Sequence, residues 1–274
     1  MSETLGDWLR RATSELSAVG IESANLEAQV MAAAAYGVDR THILIHPEWP
    51  VHPEAELILS RRLKREPLAY ILGWREFYGH RFAVGPGVLI PRQETETLVE
   101  SALALDLPSD ARVLDIGCGS GAICISLALA RPVWQVEAVD ISPTAIDFTK
   151  RNAVSLGANL SVSERNVFES SFQTVFDLVV SNPPYVRTHD PLQPEVGVFE
   201  PAEALFGGED GLVFYRDLAA RGTAWLRPEG WMLLEVGDDQ ASEVEELFRA
   251  SRWRVQASVE DLGGVLRVVR AQRP

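Results

Sequence analysis

The chain has 274 residues, 46% hydrophobic and 23% charged, which is typical of folded proteins, and at roughly 150 residues per domain it predicts about two domains. Its net charge of −14, from 25 Lys and Arg against 39 Asp and Glu, disfavours a protein that binds nucleic acid mainly by neutralising phosphates. Two cysteines and five scattered histidines predict no metal site, and the longest apolar runs fall far short of the ~20 residues that cross a bilayer, so we expect a cytoplasmic protein.

The first region of the chain has the pattern of a helical bundle. Apolar residues recur at steps of three and four over 5–19, which predicts an amphipathic helix, and a second helix is predicted over 23–36. A third begins at Pro53 and ends before Pro67. We therefore expect a helical domain over 1–67. The residues alone leave open whether it is a packing or dimerising appendage or recognises a partner.

A β-hairpin linker is predicted over 68–91, because this stretch is aromatic and β-prone around a Tyr78-Gly79-His80 turn. The remaining domain, 92–274, is expected to open with a helix in which Thr97 and Glu100 have the spacing of a capping box.

Seven short apolar runs, most of them separated by helical segments, follow in this domain. Such alternation predicts an α/β fold with a doubly wound parallel sheet, because each crossover returns the chain to the same end of the sheet. A Gly263-Gly264 turn region alone separates the last two runs, so the last strand should pair antiparallel. The seven strands are predicted near 113–116, 136–139, 160–163, 178–180, 232–236, 255–259 and 266–269.

A glycine loop joins the first of these strands to a helix, with the sequence Asp115-Ile116-Gly117-Cys118-Gly119-Ser120-Gly121. Glycines allow a ligand to approach the main chain, but neither the dinucleotide spacing nor a Walker lysine is present, so a nucleoside fits better than a pyrophosphate. Asp140 closes the second strand, where a carboxylate can accept hydrogen bonds from both ribose hydroxyls. A simple tight turn is the structural alternative. No base accompanies Cys118, which favours a packing role for its thiol.

The most informative segment, Asn182-Pro183-Pro184-Tyr185, directly follows the fourth strand. Each proline fixes its own φ and forces the preceding residue into an extended conformation, so Asn182 and the Pro183 carbonyl point in fixed directions. An ordinary proline turn with a packing tyrosine is the alternative. In a doubly wound sheet, however, this loop and the glycine loop meet where the strand order reverses, and both would face one pocket.

This loop suits chemistry on a planar nitrogen. A conjugated amino group is a poor nucleophile until acceptors hold its N–H groups, and Asn182 Oδ1 and the Pro183 carbonyl can supply that pair. Tyr185 can stack on the planar group and lie near a cationic methyl donor. Hydrogen bonds contribute about 0.5 to 1.5 kcal/mol each, whereas orientation can supply roughly 7 to 11 kcal/mol, so we expect positioning to dominate, without an Asp or Glu general base.

The glycine loop, Asp140 and the Asn182–Tyr185 loop together resemble the class I S-adenosylmethionine-dependent methyltransferases that act on planar nitrogens. Further segments are similar to the N5-glutamine methyltransferases of peptide chain release factors. These segments are Arg65-Glu66-Pro67-Leu68-Ala69-Tyr70-Ile71-Leu72-Gly73, Glu76-Phe77-Tyr78-Gly79, Val88-Leu89-Ile90-Pro91-Arg92, Glu94-Thr95-Glu96 and Phe199-Glu200-Pro201.

The resemblance implies an enzyme that transfers a methyl group from S-adenosylmethionine to the glutamine N5 in the Gly-Gly-Gln motif of class 1 release factors, giving N5-methylglutamine and S-adenosylhomocysteine. The N-terminal helices would help to dock that protein, with no membrane or direct nucleic-acid partner, and the oligomeric state stays open. Implied cofactor contacts are Gly117, Cys118, Gly119, Ser120, Gly121, Asp140, Phe168 and Asn182. Implied substrate contacts are Asn182, Pro183, Pro184 and Tyr185, of which Asn182, Pro183 and Tyr185 are expected to be catalytic.

Three positions depart from the family pattern. Gln93 replaces a usual second proline and is expected to loosen the entry to the following helix. Asn166 replaces a common acid, but its Oδ1 can still accept from an adenine amine. Nothing in the sequence accounts for the apolar Val265-Leu266.

Two other functions remain open on the sequence alone. An adenine-N6 type nucleic-acid methyltransferase could use the same loop, but it should carry a basic recognition surface, and the one dense basic cluster, Arg61-Arg62-Lys64-Arg65, reads more simply as a solvated helix end. A non-catalytic nucleoside-binding scaffold could retain the fold, although the intact Asn182–Tyr185 loop speaks against it.

Overall fold

The computed structural model describes residues 3–169, 172 and 174–274, and the chain divides into two compact units. The first unit comprises the described part of Met1–Trp74 together with Leu192–Phe199. The second comprises the described parts of Arg75–Pro191 and Glu200–Pro274. None of the helices in these described ranges combines the length and apolar composition needed to cross a bilayer.

The helices of the described chain are α1 (Leu5–Ala18), α2 (Ala24–Tyr36), α3 (Arg40–Ile45), α4 (Pro53–Arg62), α5 (Leu68–Leu72), α6 (Glu96–Leu103), α7 (Ala122–Ala130), α8 (Pro143–Leu156), α9 (Pro194–Phe199), α10 (Val213–Arg221) and α11 (Ala241–Ala250). The strands are β1 (Trp74–Phe77), β2 (His80–Ala83), β3 (Arg112–Ile116), β4 (Gln135–Asp140), β5 (Ser161–Glu164), β6 (Phe176–Ser181), β7 (Leu226–Glu235), β8 (Arg254–Glu260) and β9 (Leu266–Gln272).

The first unit is the predicted helical bundle. The Thr4 side chain caps α1 by accepting from the Asp7 backbone N–H, and the helix buries one stripe of apolar side chains against the neighbouring helices. That stripe is Leu5, Trp8, Ala12 and Leu16. The predicted helices over 5–19, over 23–36 and after Pro53 are confirmed as α1, α2 and α4. Helices α3 and α5 were not predicted, because segments of five or six residues are too short to show a helical period.

The second unit begins with the predicted β1–β2 hairpin, whose turn lies at Tyr78-Gly79. A 3₁₀ turn, Gln93–Thr95, then runs directly into α6. The capping box predicted at Thr97 and Glu100 is wrong, because this turn already sets helical geometry and α6 begins at Glu96, which leaves Thr97 inside the helix.

The predicted seven-stranded doubly wound sheet is confirmed, with the order β5-β4-β3-β6-β7-β9-β8. Strands β3, β4, β5, β6 and β7 pair parallel, and β9 pairs antiparallel with both β7 and β8. The order reverses at β3, which lies between β4 and β6. The loops that follow β3 and β6 therefore leave the same edge of the sheet side by side, at the point where doubly wound folds bind ligands.

Both faces of this sheet are covered, as a parallel sheet requires. One hydrophobic core lies between the sheet and helices α6 and α7, and another lies between the sheet and helices α10 and α11. Successive residues of β3 point to opposite cores: Val113 packs in the α6–α7 core, and Leu114 packs in the α10–α11 core. In β6, Val179 and Val180 alternate in the same way. Because the strands are held on both sides, the loops at their ends start from fixed positions.

Candidate active site

The glycine loop after β3 combines two uses of glycine. Gly117, Gly119 and Gly121 all have positive φ, between 55° and 84°, which explains why side-chain-bearing residues are excluded there. A Cβ on Gly121 would lie 2.7 Å from Ile125 Cδ1, so this glycine permits close packing of the loop against α7. A Cβ on Gly117 or Gly119 would meet nothing within 4 Å, and these two glycines line a cavity.

Asp140, at the end of β4, holds this loop and also accepts from Ser142, the residue that caps α8. Its Oδ2 accepts from Gly119 N at 2.9 Å, and its Oδ1 accepts from Ser142 N at 2.9 Å. Burial raises the pKa of Asp140, although hydrogen bonds from Gly119 and Ser142 oppose the rise. A carboxylate offers about four lone-pair sites, so acceptor capacity remains on the cavity side.

The cavity at this edge of the sheet has a volume of about 370 Å³, within the usual range for small-molecule sites. Seven of the sequence-predicted site residues line it: Gly117, Gly119, Asp140, Phe168, Asn182, Pro183 and Pro184. Cys118, Ser120, Gly121 and Tyr185 are not part of its wall. Burial raises the pKa of the Cys118 thiol, which therefore stays protonated. Two carboxylates that sequence reasoning did not single out, Glu203 and Asp217, also line the cavity.

An aromatic wall closes one side of the cavity. The Phe168 ring lies 6.2 Å from the Phe214 ring and 6.1 Å from the Trp225 ring, centroid to centroid, and its backbone carbonyl accepts from Arg221 Nη1 at 2.7 Å. Asn166 Oδ1 accepts from Phe168 N at 3.1 Å, so one of its two acceptor sites is already used. Phe168 is therefore held in place before any ligand binds.

Asn182 directly follows β6. The last residue of that strand, Ser181, donates from Oγ to the Ile116 carbonyl at 2.7 Å, which joins the ends of β6 and β3. The Asn182 amide donates from Nδ2 to Thr95 Oγ1 at 3.4 Å, while the residue also lines the cavity. Its Oδ1 is thus the part of the amide left to accept a hydrogen bond from a ligand. Pro183 is buried, and the prolines keep this segment extended.

Gln240 and two glycines clamp the far end of this loop. The carbonyl of Tyr185 accepts from Gln240 Nε2 at 3.0 Å, and Gln240 Oε1 accepts from Gly237 N at 3.0 Å. A Cβ on Gly211 would come within 2.4 Å of the Tyr185 carbonyl oxygen, and one on Gly207 within 2.5 Å of the Pro184 carbonyl oxygen. The loop is therefore packed on both sides, which suits a rigid cradle.

The Tyr185 ring is half-buried and packs against the core beside α10 and α11. Burial, followed by the charge of Glu235, raises the pKa of its phenol well above the ordinary value. Tyr185 therefore stays neutral at physiological pH. Its ring contributes to core packing, and the expected stacking on a planar substrate group stays a prediction.

Glu200, in the Phe199-Glu200-Pro201 segment, is a further residue that supports the site. Its carboxylate is nearly fully buried, accepts from Ile90 N at 2.9 Å and pairs with Arg92. Val88 and Leu89, which immediately precede this pair of anchors, line the cavity. Three residues contact these loops although they are distant from them in the sequence: Thr95, Gln240 and Glu200. Two of them, Thr95 and Glu200, lie in segments that resemble the family motifs, and this was the only sign in the sequence that they support the site.

Asp115 gives the fold a pH dependence. Its side chain is fully buried, Oδ2 accepts from Cys124 N at 3.1 Å, and Oδ1 has no hydrogen-bond partner among the described residues. Burial raises its pKa to about 7. Between about pH 4 and pH 7 the Asp115 carboxyl of the native state therefore keeps a proton that it has lost in the unfolded chain, so its contribution to the free energy of unfolding falls as pH rises, by roughly 1.4 kcal/mol per pH unit.

Asp115→Asn, which cannot ionise, should gain stability relative to the wild type by about 2 kcal/mol as the pH rises from about 5 to 7. Urea unfolding of both proteins at the two pH values measures this change, with the exposed Asp106→Asn as the matched control. A stability difference for Asp115→Asn that stays constant with pH would show that the carboxyl is ionised throughout.

Two family models match this chain. The PrmC N-terminal domain matches residues 7–73, and the Methyltransferase small domain matches residues 94–202. The chain is 44% identical over 270 residues to a release factor glutamine methyltransferase of Geobacter sulfurreducens, covering 96% of this chain and 93% of that protein. It is 39% identical to a protein of the same name from Koribacter versatilis, covering 99% of each.

The fold is shared with a crystal structure of a methyltransferase from Pyrococcus furiosus, at a TM-score of 0.56 and 18% identity over 78% of this chain and 96% of that one. These findings confirm the predicted α/β methyltransferase fold, the enzyme class and the use of S-adenosylmethionine. They also confirm the resemblance that the motifs indicated. Because the chain is similar to these relatives over nearly its full length, it belongs to the family of release factor glutamine methyltransferases.

Proposed function

We propose that this chain transfers the methyl group of S-adenosylmethionine to N5 of the glutamine in the Gly-Gly-Gln motif of class 1 peptide chain release factors. The observation that carries the proposal is the single cavity lined by both the glycine loop and Asn182-Pro183-Pro184. The half of the cavity at the glycine loop suits a nucleoside, and the half at Asn182-Pro183-Pro184 suits a planar amide. The relatives' names supply the release factor and its glutamine as the substrate.

The residues of the first half fit the methyl donor. Gly117 and Gly119 leave room beside the main chain, Asp140 retains acceptor capacity, and Phe168 offers an aromatic edge to an adenine ring. S-adenosylmethionine, when bound, supplies an electrophilic methyl group on a sulfonium sulfur. Cys118, Ser120 and Gly121 would act through the shape of the loop, because the cavity wall does not include them.

The residues of the second half orient the substrate amide. Asn182 Oδ1 and the Pro183 carbonyl accept the two N–H groups of the glutamine carboxamide, and the prolines keep these acceptors from turning away. Pro184, which lines the cavity, would border the carboxamide plane, and stacking by the Tyr185 ring stays a prediction. Held in this way, the nitrogen can present its lone pair to an electrophile without reorganisation of the site, which is where most of the rate enhancement should arise.

The transfer needs no strong base. Bound S-adenosylmethionine would supply the methyl group to the nitrogen, the electron pair of the carbon–sulfur bond would return to sulfur, and water would accept the surplus proton. Positioning by Asn182 and Pro183 is therefore the principal contribution of the protein, and a carboxylate at hydrogen-bond distance from the nitrogen is not required.

The proposed function also assigns a role to each region of the chain and a cellular location to the protein. The helical region expected over 1–67 would recognise the release factor, 68–91 would link, and 92–274 would perform the transfer. The chain would act in the cytoplasm, where release factors work, without direct nucleic-acid recognition.

Transfer of label from S-adenosylmethionine tests the proposal. The wild-type protein is incubated with methyl-labelled donor and either a class 1 release factor, the same factor with the motif glutamine replaced by alanine, or a duplex oligonucleotide. We expect label in the first alone. Label in the alanine variant would place the acceptor elsewhere, and label in the oligonucleotide would favour an adenine-N6 methyltransferase.

Asp140→Ala should weaken S-adenosylmethionine binding by about 100-fold, because it removes two acceptors for the ribose and releases Gly119 N and Ser142 N, and hydrogen bonds to charged groups contribute about 1.5 to 3 kcal/mol each. Titration calorimetry of the donor measures the change. Glu164→Ala is the matched control, since Glu164 is the exposed carboxylate in register with Asp140 on the neighbouring strand. Equal affinities for the two variants would remove Asp140 from the donor site.

A further inference from the structure

Asn182 has a partner on a different element of the second unit. Its Nδ2 donates to Thr95 Oγ1 at 3.4 Å. Thr95 is the last residue of the 3₁₀ turn before α6, and it is only 4% exposed. This threonine lies within the Glu94-Thr95-Glu96 motif, to which the methyl-transfer scheme gives no role. Its hydroxyl is therefore a buried polar group that touches the amide expected to hold the substrate.

The same side chain lies close to a buried acid. The Thr95 hydroxyl opposes the rise in pKa that burial causes at the carboxyl of Glu235, the last residue of β7, and that pKa is raised to about 7. Glu235 is 1% exposed, and its Oε2 has no hydrogen-bond partner among the described residues. The backbone carbonyl of Glu235 accepts from the Tyr215 hydroxyl at 2.7 Å, which fixes the end of the strand.

The order of donors in this chain of groups follows from their chemistry. The Thr95 oxygen accepts from Asn182 Nδ2, and its own proton remains available for Glu235, whose ionised form only accepts. The lone pairs of the threonine oxygen then face Asn182, and they can accept from an N–H group but cannot bond to a carbonyl oxygen. Thr95 therefore distinguishes the two ends of the Asn182 amide, which are nearly identical in shape.

The geometry points to Thr95 as a positioning residue that keeps the Asn182 amide oriented with Oδ1 toward the substrate. This inference rests on the proposed function. An Asn182 amide rotated by 180° would present N–H groups to the N–H groups of the glutamine, and the acceptor pair would be lost. The burial of both Thr95 and Glu235 strengthens the preference, because water cannot replace either partner.

Matched substitutions separate this role from simple packing. Thr95→Val keeps the shape and removes the hydroxyl, and Thr95→Ser keeps the hydroxyl and removes a methyl group. Thr97→Val is the control, since Thr97 is a buried threonine two residues further along, in α6, and is not a partner of Asn182. For each variant, kcat and the release-factor KM are measured, together with donor affinity and urea unfolding.

We expect Thr95→Val to lower kcat about tenfold with donor affinity within about twofold of the wild type, the size of one lost hydrogen bond. Thr95→Ser should stay within about threefold in kcat, and Thr97→Val should resemble the wild type. In an Asn182→Ala background, Thr95→Val should cause no further loss, because a positioning residue acts only through the group it positions. If Thr95→Val does not fold, Thr95→Ala against Thr95→Ser repeats the comparison, since these two also differ by one hydroxyl.

Equal kcat values for Thr95→Val and Thr97→Val, or a full additional loss in the Asn182→Ala background, would overturn the inference. A failure of the proposed function is distinct from this result, because it appears in the wild-type protein as an absence of label in the release factor. A wild-type protein that methylates the glutamine while Thr95→Val loses nothing would refute the positioning role alone.

Discussion

Asn182→Ala should lower kcat for release-factor methylation by about 10³-fold, while donor affinity and the free energy of unfolding stay close to wild type. The side chain supplies one of the two acceptors that hold the glutamine amide, and the loss of one preorganised hydrogen-bonding group in an active site typically costs 10²- to 10³-fold. The substrate amide would also rotate more freely about its remaining bond to the Pro183 carbonyl, and misplacement of the reacting nitrogen adds to the loss.

The structure explains why this loss should be confined to the chemical step. The backbone of the loop is fixed by its prolines, by the bond from Gln240 to the Tyr185 carbonyl and by the packing of Gly207 and Gly211. Removing the Asn182 side chain leaves these contacts in place. Single-turnover kinetics and donor calorimetry measure the two effects separately, and Asn25→Ala, on the exposed side of α2, serves as the control. Turnover equal to wild type would remove Asn182 from the site.

Arg62→Met should reduce the free energy of unfolding by about 3 kcal/mol, because it destabilises the first unit. Arg62 is 4% exposed, donates to Glu27 Oε2 at 2.6 Å and donates to Glu195 Oε1 at 2.9 Å. Removing one member of a buried charged network leaves the others uncompensated, which typically costs 3 to 5 kcal/mol. Here Arg65 still pairs with Glu195, so the lower end of that range is expected.

The neighbouring Arg61→Met is the matched control for this prediction. Arg61 pairs with Glu66, but about half of its side chain is exposed, and exposed pairs contribute about 1 kcal/mol or less. Urea unfolding of both variants gives the comparison. Equal stabilities would mean that the buried network is no stronger than a surface pair. Burial alone would raise the pKa of Glu195, and hydrogen bonds from Arg65 and Arg62 instead lower it, which agrees with a carboxylate that stays ionised.

The sheet and the two cavity loops could be predicted because their signals are local. Each strand is a short apolar run, and the glycine loop and Asn182-Pro183-Pro184-Tyr185 constrain the backbone within a few residues. The meeting of the two loops also followed from the sequence, since the reversal of strand order beside β3 is a general property of doubly wound folds.

The supporting contacts could not be predicted from one sequence, because they join residues that are distant along the chain. Thr95 contacts Asn182, Glu200 contacts Ile90, and Gln240 contacts the Tyr185 carbonyl, although the two residues of each pair lie at least 55 positions apart. Helix α9 was missed because it is six residues long and none of them is buried. It belongs to the first unit, where Glu195 pairs with Arg62 in α4 and with Arg65 just beyond it.

The most direct test of the central claim is a crystal structure of this protein with S-adenosylhomocysteine and a peptide containing Gly-Gly-Gln. We predict that the glutamine amide nitrogen lies about 3 Å from both Asn182 Oδ1 and the Pro183 carbonyl oxygen, with Asn182 Nδ2 still bonded to Thr95. A glutamine bound away from these two oxygens, or one whose carbonyl faces Asn182 in place of its nitrogen, would contradict it.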